Sequence, residues 1–230
     1  MFESIILLTG PVEQSALAST LCRHNPGLTV KAVETAADLA ALERDTLRRA
    51  RLIGFATPVI VPPDILQALG YGAYNFHPGP PQYPGFAPAQ FAIYDQAAEF
   101  GATVHEMADR VDSGPIVDVA RFSVPAGISV IELETLAYMQ LVEMFWRLAQ
   151  ALATQADPLP GLPLHWSNKR NSRRAYRAAC DIPLDIGRDD LHRRIHAFGG
   201  NHYDMAPAIH LHGVEFRAVI PSQDPAADRP

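Results

Sequence analysis

The chain has 230 residues, 48% of them apolar, with 25 acidic against 19 basic side chains. That length buries a sizeable core, as one domain or as one domain with a small annex, and the net charge of −6 argues against a general nucleic-acid binder, which carries a basic surplus. No apolar run reaches the ~18 residues a membrane span needs. The opening MFESIILLTG lacks a basic n-region and a cleavage site, and the distant Cys22 and Cys180 make neither a disulfide framework nor a metal cluster. The expectation is a cytoplasmic globular protein with reduced thiols, no membrane partner and no metal.

In chain order, Ser4–Thr9 (SIILLT) is a short β-branched apolar run suited to a strand buried on both faces. A helix is expected over about 13–24 and a strand over 28–33. Thr35 then reads as the cap of a helix running to about Arg49, with Asp38 in its first turn. Arg51–Thr57 reads as a strand, Asp64–Leu69 as a short helix and Ala73–Phe76 as a further buried strand ending at His77. Such alternation indicates an open, mostly parallel α/β sheet, whose chemistry gathers at strand ends. Beyond it, a helix over 88–98, strands over 102–108 and 116–124, and a long helix from about Ser129 to Leu152 are expected. That helix has Val130, Leu133, Leu136, Met139, Leu141, Met144, Phe145 and Leu148 near one face. DPLPGLP (157–163) reads as a linker, followed by the basic run KRNSRR (169–174), a short helix near 189–198 and a strand or hairpin over 208–220. The division expected is 1–156 as the main domain, 157–221 as a small C-terminal extension and 222–230 as a disordered tail.

The stretch YNFHPGPPQYPG (74–85) puts an amide and an imidazole two residues apart at a strand end and follows them with a proline- and glycine-rich loop. Proline fixes its own φ and pushes the preceding His77 out of the helical region, so the loop loses little entropy in adopting one shape. Asp112, in RVDSGP, adds a carboxylate at a tight turn before the next strand. An amide and an imidazole can donate to a developing oxyanion while the carboxylate orients the ring and accepts protons, which suits acyl transfer.

Taken in order, the strand ending N-x-H-P, the loop with Y-P-G, and GATVHEMADRVDSGPIV resemble the formyltransferase family. Its members move a formyl group from 10-formyltetrahydrofolate to an amine. The resemblance is strong over about 52–124 and implies a Rossmann-like sheet with Asn75, His77 and Asp112 as the catalytic trio and His77 protonated. It also implies a folate ring held by backbone groups at Ile60 and Val61 and at Ala108, Asp109, Arg110 and Val111. Val59 stands where the family often has Arg. Tyr83, Phe86 and His105 become candidates for the acceptor pocket, with loop or core packing as the alternative for each. The part before the first folate loop is shorter than the family's, and LLTGPVEQSALAS does not reproduce the phosphate loop of its purine-pathway branch. The acceptor implied is therefore a small amine, with an amino-sugar nucleotide as the leading candidate, whose phosphates would meet KRNSRR, Arg193 or Arg194. Hydrolysis of the formyl donor on the same site, another one-carbon use, and a non-enzymatic folate-binding module stay open, as does a homodimer.

Overall fold

Short apolar runs become the inner strands of a six-stranded sheet. In the computed structural model, which describes residues 3–200 and 202–218, Ser4–Leu8 (β1) and Ala50–Phe55 (β3) are buried almost throughout. Thr29–Val33 (β2), largely exposed, forms the edge, and Ala73–His77 (β4) lies beyond β3. Glu99–Glu106 (β5) and Ile116–Ser123 (β6) complete the order β2-β1-β3-β4-β5-β6. The first four strands run parallel, whereas β5 is antiparallel to β4 and β6 to β5. The sheet is thus α/β and mostly parallel, as expected. The expected tail 222–230 and the ends of the expected extension and hairpin lie outside the described residues.

Two helical layers cover the sheet. On one face, Pro11–His24 (α1) and Val130–Thr154 (α6) bury Leu17, Leu21, Leu141, Phe145 and Leu152 against Ile5, Ile53, Phe76 and Val104. Pro11 opens α1, where its missing N–H costs nothing. A reciprocal pair of bonds between Ser129 and Glu132 opens α6. The inward stripe of α6 runs through Val130, Leu133, Ala137, Leu141 and Met144. Met139, expected on that face, is 53% exposed, and Ala137 faces inward instead.

On the other face, the helix expected over 35–49 is two helices, Ala36–Ala40 (α2) and Arg44–Arg48 (α3). The reason lies in the leucine spacing. Leu39, Leu42 and Leu47 are all buried, and a five-residue step would turn Leu47 about 140° away from Leu42 in one continuous helix. A break at 41–43 brings all three onto the sheet, beside Pro63–Ala68 (α4).

Pro88–Tyr94 (α5) is followed, after α6, by a helix the sequence reading missed, Arg173–Cys180 (α7), and by Arg188–Phe198 (α8). These three pack around Phe91, Tyr176 and Phe198 in a separate core at the start of α6. A hairpin, Ala208–Leu211 (β7) and Val214–Arg217 (β8), closes the described chain. No helix among the described residues is long and apolar enough to cross a membrane.

The chain leaving α6 is docked by Arg51, whose side chain is fully buried. Its Nε donates to the Tyr71 carbonyl at 3.0 Å and its Nη1 to the Leu152 carbonyl at 2.8 Å. Nη2 donates to the carbonyls of Ala156 and Asp157, and the guanidinium lies 5.3 Å from the Tyr74 ring centroid. The Tyr74 hydroxyl accepts from the Leu159 N–H at 2.9 Å. Replacing Arg51 with Met removes the donors and leaves several carbonyls without partners, so stability should fall by about 3 kcal/mol. Urea unfolding followed by circular dichroism measures this, and a loss below about 1 kcal/mol would show that Arg51 does not hold the α6 terminus.

Candidate active site

Asn75 and His77 stand two apart on β4 and therefore project from the same face of the sheet. His105 on β5 is the register partner of Asn75. A β-bulge between Val104 and His105 shifts the pairing with β6 at that point; bulges of this kind re-aim side chains next to functional sites. The sequence pattern placed the chemistry at strand ends. Being antiparallel, β4 and β5 end at opposite edges, and the site instead lies over one face of the pair.

Asp112 reaches this face from the loop that follows β5. Gly114 allows the loop to close, since a Cβ there would lie 2.0 Å from the Glu106 carbonyl oxygen. Asp112 itself has a left-handed backbone (φ 46°), which Asp tolerates better than most residues. Its carboxylate is 2% exposed. Oδ2 accepts from the Gly85 N–H at 2.7 Å and lies 3.6 Å from His77 Nδ1. Oδ1 lies 3.2 Å from His105 Nε2.

The expected trio is thus joined through a fourth residue. His105 Nδ1 faces the Glu106 carbonyl at 2.7 Å and carries the ring proton there. Its Nε2 is then free to accept from Asn75 Nδ2 at 3.2 Å. That leaves Asp112 Oδ1, buried, without a hydrogen-bond donor among the described residues. The contact with His105 becomes an ion pair only when the ring takes a second proton.

Burial alone would raise the Asp112 carboxyl. The neighbouring His77 and His105 rings and the Gly85 N–H outweigh it and hold the group well below the usual carboxylate range. Burial pushes the His77 imidazole below its ordinary value, and the Asp112 carboxylate offsets only part of this. The resting pair at neutral pH is carboxylate and neutral imidazole, not the protonated His77 of the sequence reading. His77 has oxygen neighbours on both sides, Asp112 at 3.6 Å and the Tyr83 carbonyl at 3.4 Å, and a neutral ring has one N–H for the two.

A cavity of about 500 Å³ opens over these groups, within the roughly 300–1,000 Å³ of small-molecule sites. One wall carries Ile60, Val61, Ala108, Asp109, Arg110 and Val111, with Leu66 and Met107. Among the described residues, the backbone N–H groups of Ile60, Val61 and Ala108–Val111 find no acceptor, which is what a flat ring with its own donors and acceptors requires. Ile60 is 68% exposed, so its side chain is not core. Gly85, Phe86, Arg170, Asn171 and Arg173 line the cavity as well. Tyr83 does not line the cavity. Its ring packs near Phe100, and burial, with Asp95 beside it, pushes its hydroxyl up to about 12.

The sequence reading missed Trp166, Asn171 and the route by which they arrive. Trp166 sets its ring edge-on to His105 at 4.9 Å and to His77 at 6.0 Å, and its Nε1 donates to the Gly114 carbonyl at 2.8 Å. The stretch continues along the proline-rich loop: Ser167 N–H to the Pro81 carbonyl, Asn171 N–H to Pro84, and Phe86 N–H to Asn171. Gly85 is bridged to Asn171 so closely that a Cβ would fall 2.2 Å from the Asn171 carbonyl oxygen. Arg193 and Arg194 do not line the cavity; both pair with Asp190.

An α/β sheet that presents an amide, two imidazoles and an ionised, under-bonded carboxylate to one cavity has the groups that acyl transfer to a nucleophile requires. Over residues 51–140 the chain matches the model of the formyl transferase family. The methionyl-tRNA formyltransferase of Hydrogenovibrio crunogenus is 32% identical over 116 residues, 50% of this chain and 35% of that protein. The chain therefore spans little more than a third of the length of that relative. The fold is shared with a sugar N-formyltransferase from a Shewanella species (TM-score 0.77, 15% identity, covering 96% and 98% of the two chains). It is shared also with an N-formyltransferase from Helicobacter canadensis, solved with folinic acid and dTDP-3-aminofucose (TM-score 0.65, 14% identity, 94% and 86%).

The depressed His77 value carries a pH dependence. The unfolded chain binds a proton at His77 below about 6.5 while the folded chain resists it. The stability due to the neutral buried ring is therefore complete above that pH and declines as pH falls toward the folded value. Melting temperatures from pH 7.5 to 5 should fall more steeply for the native chain than for His77→Gln. Parallel curves would mean that the ring is not held neutral.

Proposed function

We propose that the chain is an N-formyltransferase that moves the formyl group of 10-formyltetrahydrofolate to a small amine. The observation that carries this reading is the buried, ionised Asp112, set between two imidazoles, His77 beside Oδ2 and His105 beside an Oδ1 that has no hydrogen-bond donor among the described residues. The free backbone groups at 60–61 and 108–111 would hold the folate ring, with Val61, Leu66 and Met107 as its apolar contacts. The bound donor supplies an activated formyl carbon.

The chain's own residues supply the rest. Asn75 has two amide N–H groups and gives one to His105; the other is available to negative charge developing on the formyl oxygen, as is a ring N–H of His77. Asp112 Oδ1 accepts the proton that the attacking amine must lose. His105 keeps Asn75 in place through the bond to Nε2, and Trp166 packs both rings so that water does not fill the space beside them. The prolines from Pro78 to Pro84 fix the path of the loop that carries Gly85 to Asp112.

The acceptor we infer is an amino-sugar nucleotide. Structural neighbours are named sugar N-formyltransferases. The curated relative named for methionyl-tRNA matches over 50% of this chain, and the net charge of −6 disfavours a polyanionic acceptor.

Asp112→Asn is a clean test, because Asn also tolerates a left-handed backbone and can still accept from the Gly85 N–H. Asp112→Asn and His77→Ala should each lower kcat by about 100-fold or more while tetrahydrofolate affinity stays within a few-fold. Consumption of 10-formyltetrahydrofolate is followed with and without a panel of amino-sugar nucleotides. Near-normal turnover in either variant would sink the assigned roles, and amine-independent consumption would make the chain a hydrolase.

A further inference from the structure

The lining contributed by 170–173 differs in chemistry from the loops at 60–61 and 108–111. Asn171 is 4% exposed and lines the cavity, yet its Nδ2 has no hydrogen-bond partner among the described residues. Native proteins rarely leave a buried amide unpaired, because each such group costs about 1–3 kcal/mol. The position is not accidental. Both backbone groups of Asn171 are tied to the loop, its N–H to Pro84 and its carbonyl to Phe86. The side chain is therefore held on the cavity wall by the same segment that carries Gly85 to Asp112.

Two cations flank it. Arg170 and Arg173 line the cavity and are exposed, and neither makes an ion pair with a carboxylate among the described residues. Arg170 spends one nitrogen on the Asp112 carbonyl at 3.2 Å. Arg173 stacks over Phe86, its guanidinium 5.0 Å from the ring centroid, which sets its direction while leaving its N–H groups to a ligand. Behind them, Ser172 caps α7, and the N–H groups of Arg173 and Arg174 at its positive end have no acceptor among the described residues. In a chain with six more acidic than basic groups, two guanidiniums without a carboxylate partner among the described residues, beside an unpaired buried amide, are a specific arrangement.

We propose that Asn171, Arg170 and Arg173 form an anion-reading subsite for the acceptor, which takes an anionic oxygen group, phosphate or carboxylate, on the side of the molecule away from the reacting amine. Asn171 Nδ2 supplies the short, directional bond that fixes the distance from the anion to Asp112. The arginines supply charge, Arg173 as a planar donor suited to two oxygens at once. The subsite makes the acceptor class an amine with an anion at its far end and excludes simple uncharged amines. The proposal rests on the formyl-transfer reading only for the name of the molecule bound, since anion binding itself needs no reaction.

Calorimetry on the full chain with inorganic pyrophosphate and with glutarate tests it and separates the two anion types. Asn171→Leu removes an unpaired polar group, so its melting temperature should hold or rise. Arg173→Gln changes an exposed side chain and keeps the test valid if the first variant fails to fold. Each should weaken the preferred anion by about tenfold or more, with tetrahydrofolate affinity within about twofold. Failure of both anions to bind, or binding that neither variant changes, overturns the subsite. A chain that binds the anion through these residues but transfers no formyl group would keep the subsite and overturn the activity, so the two failures are distinguishable.

Discussion

A carboxylate buried and ionised must be compensated from all sides, and the architecture around Asp112 follows from that requirement. Desolvating such a charge without partners costs several kcal/mol. Here the compensation comes from His77 on β4, His105 on β5 and the Gly85 N–H in the proline-rich loop, while Arg170, from the chain beyond α6, holds the Asp112 backbone carbonyl. Of these only His105, seven residues before it, is near Asp112 in sequence. The left-handed turn at Asp112 is affordable because the loop is over-determined at both ends, by Gly114 against Glu106 and by Trp166 on Gly114. The compensation is also incomplete at Oδ1, and that residual imbalance is where chemistry can enter.

The reversal of β5 matters as much as the charge. With β5 antiparallel, Asn75 and His105 sit as direct cross-strand partners at hydrogen-bonding distance. The loop after β5 starts at the other edge from the loop after β4, and it folds back over the sheet face until Asp112 meets the Gly85 N–H. Parallel strands on the left of the sheet provide the buried platform, and the antiparallel strands on the right bring His105 and Asp112 onto the face that carries Asn75 and His77.

Much of this was legible in the residues. The apolar runs gave β1, β3 and β4 because strands buried on both faces are written without alternation. Asn75, His77 and Asp112 were marked by local chemistry, Pro after His and Ser-Gly-Pro after Asp, and the two backbone loops by the family resemblance alone; the structure gathers all of them around one cavity. The direction of β5 was not legible, since apolar patterning is the same for either orientation. Nor was α7: KRNSRR reads as solvated polar chain, and only Tyr176 and Cys180, one helical turn apart, mark its buried side. Trp166 and Asn171 were invisible for another reason. Their roles depend on a long excursion back across the sheet, which Arg51 anchors at the end of α6 through bonds to carbonyls that no sequence pattern records. The left-over helix at 44–48 could have been anticipated from the five-residue step between Leu42 and Leu47.

That excursion has a consequence for how the molecule is made. Chains emerge from the ribosome N-terminus first and fold as they lengthen. The six-stranded platform needs nothing after β6 and α6 to pair its strands, so it can assemble while the remainder is still inside the exit tunnel. The wall holding Trp166, Asn171 and Arg173 arrives later, and until it does Gly85 has no neighbour at Asn171 to hold it against Asp112. During that interval the nascent protein is a folded sheet with a half-built cleft, in which a charged carboxylate faces water on one side, and translation of the last segment dries it.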